Sequence, residues 1–203
     1  MPVPSPDRPH AEEMRARILE VAWDLFRQLG ARTTIADIAE KLGMSSANVY
    51  RFYPSKQAVC EAIASNQLGA LTHKAREIAA GRGVASDKIR AIMMMMYECM
   101  SDQMLNQSRV HEIVDVAISE NWSAIETFKL DCCAIVAELI GEGQARREFG
   151  PGVPHDLAAL TLSSCACVHH PTLIAQHRNS PSAVPPEAMV DFALRALRYR
   201  AHP

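Results

Sequence analysis

Six cysteines and eight histidines are the residues of this 203-residue chain that could hold a metal or attack an electrophile. Cys165, Cys167, His169 and His170 crowd into one short stretch, and His111 and Asp115 are spaced i, i+4 in another. Zinc needs ligands that converge on one point. Residues two apart on a helix point about 200° from each other, so Cys165 and Cys167 do not easily share an ion. His170, just before Pro171, suits a backbone hydrogen bond at a helix kink. Cys132 and Cys133 are adjacent, so their side chains diverge, and no thiol has the flanking cations that favour a thiolate. With Cys60 and Cys99, these cysteines sit in apolar, helix-like stretches. They read as reduced, buried thiols that pack as small hydrophobes. No metal and no cofactor is expected. The chain offers no nucleophile–base pair, phosphate loop or Glu-x-x-His pair, so an enzyme is not expected.

A second group of polar residues lies in TTIADIAEKLGMSSANVYRFYPSK, from Thr33 to Lys56. Thr33 or Thr34 can cap a short helix, with Asp37 placed for a capping box. Ile35, Ile38, Ala39 and Leu42 face inward, and Gly43 breaks the chain. A second short helix starts at Ser45 or Ser46 and ends near Phe52, because a residue before proline, here Pro54, disfavours helix. Two short amphipathic helices joined by a tight turn make a helix-turn-helix. Ile35, Ala39, Leu42 and Val49 are small enough for the helices to cross closely. Ser45, Ser46, Ala47, Asn48 and Tyr50 are then left on the outer face. Small polar residues and one tyrosine at an exposed helix start suit a DNA major groove. The helix N-terminus also favours a phosphate. Tyr53 reads as core.

The elements that must position these residues are helices throughout. Aromatics are sparse at 5%, long windows show 3.6-residue spacing, and no alternating run marks a strand, so the fold class is all-α. The spacing predicts about nine helices, over 11–29, 34–42, 46–52, 55–80, 86–105, 110–120, 122–147, 155–170 and 186–200. Pro2, Pro4, Pro6 and Pro9 make residues 1–9 a disordered leader. The segment 10–56 reads as the helix-turn-helix domain and 57–203 as a second helical domain. The hydrophobic fraction of 48% and charged fraction of 22% exclude a disordered chain. No apolar run nears the roughly 18 residues of a membrane span. The start of the chain has no apolar signal core, so the expected location is the cytoplasm, away from membranes. Residues 1–56 hold 8 Lys/Arg against 7 Asp/Glu and the rest 13 against 16, too slight an asymmetry to argue nucleic-acid binding from charge.

The motif itself carries that argument. It resembles the DNA-binding domain of the tetracycline-repressor (TetR) family of bacterial transcription regulators, over about residues 12–63. The matching positions are Thr33, Thr34, Ile38, Ala39, Gly43, Ser45, Tyr50, Arg51, Tyr53, Ser55 and Lys56. The resemblance implies that Thr34 contacts a phosphate and that Ser45, Ser46 and Ala47 face base edges. It implies that Tyr50 meets a phosphate or thymine methyl and that Lys56 anchors a phosphate. Phe52 departs from the pattern, which often has tyrosine or histidine there, and phenylalanine cannot bond a phosphate. The amide of Asn48 is the alternative donor.

In this family the second half binds a small effector and forms the homodimer. Met93 to Met96 put methionine all round one helical turn, and methionine tolerates varied ligands. The expected effector pocket is hydrophobic and lined by Met96, Cys99, Met100, Met104, Trp122 and Phe128. Two apolar stripes with small residues suit a dimer interface of four helices. One holds Leu157, Leu160, Thr161, Ser164 and Val168, the other Val190, Ala193, Leu194 and Leu197. The expectation is a homodimeric repressor that binds a pseudo-palindromic double-stranded DNA operator and is released by a small hydrophobic effector. The competing expectation is an all-α metal- or thiol-dependent sensor or enzyme without sequence-specific DNA binding.

Overall fold

The computed structural model describes residues 7–106, 116–118, 120 and 122–199, and the side chains of 7–9 and 102–106 lie outside that description. Every regular element among these residues is helical. The order is α1 (Asp7–Leu29), a 3-10 turn (Gly30–Arg32), α2 (Ile35–Leu42), α3 (Ser46–Phe52), α4 (Lys56–Ala80) and α5 (Ala85–Asn106). There follow α6 (Ser123–Ala145), α7 (Pro154–Ser164), α8 (Ala166–His169), α9 (Pro171–Arg178) and α10 (Pro186–Leu197). Nine of these described helices have seven or more residues, so the all-α class and the count match expectation.

The membership differs in three places. Helix α1 begins at Asp7 rather than near Ala11. Pro9 is tolerated there because the first N–H groups of a helix have no intrahelical partner to lose. Most of the helix expected over 110–120 lies outside the described residues. The helix expected over 155–170 is broken into α7 and α8, and a separate helix α9 follows. Cys165 leaves helical geometry at φ −102°, ψ 24°, and His170 is extended at φ −94°, ψ 117°. Pro171 does more than end a helix, for it opens α9 at the first position, where its fixed φ and missing N–H fit.

The chain forms two compact units, residues 1–67 with 107–125, and residues 68–106 with 126–203. The first unit is centred on Ile18, Ala22 and Phe26 of α1, Ile38 and Ala39 of α2, Val49 of α3, and Val59 of α4, all 2% exposed or less. Tyr53 joins this core at 7% exposure. The second unit is centred on Ile89, Ile92, Met93 and Met96 of α5, Val136, Leu139 and Ile140 of α6, and Val190 and Leu194 of α10. Burying each such aliphatic side chain contributes about 1.5–3 kcal/mol. Gly143 of α6 lets the ring of Phe149 approach so closely that a Cβ there would lie 2.3 Å from it. The Glu148 carboxylate accepts from the N–H groups of Ala85 and Ser86 at 2.9 and 2.8 Å, satisfying the start of α5. Burial would raise its pKa, but those bonds and the nearby Arg198 hold it below the usual value.

Candidate nucleic-acid interface

Local sequence sets the geometry of the first unit's helix pair. Thr34, extended at φ −115°, ψ 164°, caps α2. Its hydroxyl oxygen accepts from the Asp37 N–H at 3.2 Å, and its own N–H donates to the Asp37 carboxylate at 2.7 Å. The capping box read from the sequence is therefore present, and a cap of this kind contributes ~1 kcal/mol. The Thr34 hydroxyl and backbone bonds hold the Asp37 carboxyl below its usual pKa. Gly43 turns the chain at φ 67°, a left-handed conformation that only glycine adopts without strain. Ser45 caps α3, its hydroxyl accepting from Asn48 N–H at 3.3 Å.

With Val49 fully buried, the opposite face of α3 is turned outward. Ser45, Ala47, Tyr50 and Arg51 are exposed, and Ser46 and Asn48 are half-buried. Tyr50 is 50% exposed, a large ring that packing within the unit does not account for. Thr33 is different, being fully buried with no partner for its hydroxyl among the described residues. Lys56 is half-buried, and its ammonium donates to the Ala31 carbonyl and lies 5.9 Å from the Phe26 ring centroid. Its cation thus ties the start of α4 to the turn before α2.

Arg15 has a role that sequence reading missed. Its guanidinium donates to the Phe52 carbonyl at 2.8 Å and sits 5.9 and 5.5 Å from the ring centroids of Phe52 and Tyr53. It closes the C-terminal end of α3. Nothing local in the sequence signals this, because the partners are 37 and 38 residues away.

In the second unit Cys99, Met100 and Phe128 gather with Leu71 and Ile174 in a small apolar cluster. Met96 lies in the unit's larger core, against which Phe128 also packs. Trp122 belongs instead to the first unit's core, its indole N–H donating to Glu120 at 2.9 Å. The side chain of Met104 lies outside the described residues. Of the residues assigned to the dimer stripes, Thr161, Val168, Val190, Ala193, Leu194 and Leu197 are buried within the unit. Leu160 is 65% exposed, Ser164 is exposed and Leu157 half-buried. Phe192, which the stripe reading passed over, is 72% exposed. Its sequence signal is a lone aromatic about 200° round the helix from Leu194. Beside it is a surface crevice of about 310 Å³, lined by Ser164, Val184, Ala188, Met189, Phe192 and Arg195.

Cys165 is buried, its sulfur 3.8 Å from the Met189 carbonyl oxygen, while Cys167 is half-buried and lines a different crevice. All six thiols are free. Burial pushes the Cys60 thiol up to about 11 and that of Cys132 to about 12. His169 is held 2.9 Å from the Leu162 carbonyl, and burial lowers its pKa. His111 and Asp115 lie outside the described residues. Among the described residues no three His, Cys, Asp or Glu side chains converge as metal ligands, and no helix is long and apolar enough to cross a membrane.

Comparison with known proteins agrees with this architecture. Residues 18–63 match the family described as bacterial regulatory proteins, tetR family, and residues 85–190 match the tetracyclin repressor-like C-terminal domain. The chain belongs to the TetR family of transcriptional regulators. It is similar to the uncharacterized HTH-type transcriptional regulator YvaF of Bacillus subtilis (strain 168), with 24% identity over 91% of this chain and 95% of that one. It is also similar to the HTH-type transcriptional repressor KstR2 of Rhodococcus jostii (strain RHA1), with 32% identity over 48% of each chain. A TetR-family transcriptional regulator from Pectobacterium atrosepticum shares the fold, with a TM-score of 0.67 at 17% identity over 94% of this chain and 93% of that one. Family and relatives indicate a DNA-binding regulator rather than an enzyme.

Proposed function

We propose that the protein is a homodimeric, ligand-responsive repressor acting in the cytoplasm. Residues 10–56 form its DNA-binding domain and 57–203 its effector-binding and dimerisation domain. Each subunit places α3 in a major groove of a pseudo-palindromic operator. The observation that carries the reading is the outward face of α3, with Tyr50 half exposed beside Ser45, Ala47 and Arg51 while Val49 is fully buried. Ser45, Ser46 and Ala47 read base edges. Tyr50 and Asn48 contact backbone or a thymine methyl, and Thr34, Arg51 and Lys56 serve phosphates. Thr33, being buried, supports the turn rather than touching DNA.

The partner on the second unit is another copy of this chain. Leu160 and Phe192 are apolar side chains at 65% and 72% exposure, and on a two-fold interface each can enter the crevice beside the other copy's Phe192. Buried stripe residues such as Leu194 hold α10 in place behind that face. The effector is small and hydrophobic, and Cys99, Met100 and Phe128 with Met96 are its site. By binding one conformation better than another it draws the population away from DNA.

The test is fluorescence anisotropy of the purified protein on duplexes flanking its own gene, across a salt series and beside a scrambled duplex. Tight binding to one native duplex, falling steeply with salt, is expected. Lys56→Ala should weaken binding on all sequences and flatten the salt slope by about 1. Equal binding to native and scrambled duplexes would contradict the reading.

A further inference from the structure

The second unit contains a crevice that adjoins the effector cluster above and shares Ile174 with it. It holds about 280 Å³ between α5, α9 and the segment leading into α10, room for roughly nine water-sized volumes at ~30 Å³ each. Its walls are apolar, from Ile174, Val184 and Met189, and its polar groups are Tyr97, Cys167, His177 and Arg178. The segment that forms one wall is tied down. His177 Nε2 accepts from the Val184 N–H at 3.0 Å, and the Asn179 amide donates to the Ala175 carbonyl at 3.0 Å. The crevice is thus built by α9 and its own capping bonds.

Among the described residues lining it, Arg178 carries the one permanent charge, and His177 is engaged with the Val184 backbone. A guanidinium is permanently protonated and offers five donors in a planar fork. No carboxylate among the described residues pairs with Arg178, and no described group bonds the Tyr97 hydroxyl. An apolar crevice with one unpaired cation and one free hydroxyl is matched by an amphipathic anion of about ten non-hydrogen atoms. We infer that this crevice binds a small amphipathic carboxylate, its chain against Ile174, Val184 and Met189 and its carboxylate on Arg178 and Tyr97. That such binding would bear on DNA affinity rests on the regulator reading. The site itself does not.

Octanoate and 1-octanol are the probes, because they share a chain and differ in charge. Isothermal titration of the full-length protein should give octanoate about tenfold tighter than octanol. Arg178→Gln, a change at an exposed side chain, should remove that preference and leave octanol binding unchanged. Val184→Trp, which fills the crevice from an exposed position, should lose both ligands. Equal affinities in the wild type, or octanoate binding unmoved in Arg178→Gln, would overturn the charge assignment. Full octanoate affinity in Val184→Trp would overturn the location. The titration contains no DNA, so failure here leaves DNA binding untouched, and failure of DNA binding leaves the octanoate contrast standing.

Discussion

The two units use apolar residues differently. In the first, short helices and tight caps leave one way to fold the segment from Thr33 to Lys56, and the residues outside its core are those proposed to meet DNA. In the second, α7 and α10 carry more apolar surface than one face needs. Leu194 is 2% exposed while Phe192, two positions away, is 72% exposed. An apolar stripe identifies a core reliably when its partners are near in sequence. Where the partners are distant in the chain, the same pattern covers buried residues and the exposed ones proposed to meet a second copy.

The largest expected effect tests that distinction. Leu160→Glu combined with Phe192→Glu should convert dimer to monomer in sedimentation velocity while the far-ultraviolet circular dichroism stays helical. Leu194→Ala, by contrast, should cost about 2–5 kcal/mol in urea unfolding. If the double variant unfolds like Leu194→Ala, the exposed face belongs to the core and the contrast fails.

The first unit is next. Ile38 is fully buried, so Ile38→Ala should also cost about 2–5 kcal/mol and abolish DNA binding through loss of the unit. A urea curve that tracks DNA affinity would sharpen the comparison, since in this unit packing and function cannot be separated at a core position.

Legibility in the sequence follows the same division. The capping box at Thr34 and Asp37, the glycine turn at Gly43, the Ser45 cap and the inward Val49 are local, and each could be read from residue type and spacing. The break at Cys165 and the start of α9 at Pro171 could not, because proline reads equally as a terminator and as a first helical residue. The burial of Thr33 and the clasp of Arg15 on Phe52 depend on packing between segments far apart in the chain. Trp122, expected in the effector pocket, packs with the first unit instead, a placement set by contacts between distant segments. The Met93–Met96 run gave no facing, and the fold buries Met93 and Met96 while leaving Met94 and Met95 half-buried.

Smaller effects come from caps. Thr34→Ala should cost ~1 kcal/mol, measured by urea midpoint, and weaken DNA binding beyond that loss if Thr34 also meets a phosphate. Glu148→Gln tests the cap of α5. Its carboxyl sits below the usual 4.5 in the fold. Its contribution is therefore complete above that value and is lost as pH falls through the lower, folded value. The wild type should lose stability over that acid range faster than Glu148→Gln, whose amide does not titrate. Parallel acid profiles would remove Glu148 as the source.

The central claim is that Tyr50, on the outward face of α3, is for DNA and contributes nothing needed for folding. Tyr50→Ala tests it most directly. Urea unfolding should shift by no more than ~0.5 kcal/mol, as for an exposed surface position, while anisotropy on the native duplex should show about a tenfold or greater loss of affinity. Unchanged affinity, or a loss of affinity matched by an equal loss of stability, would contradict the account.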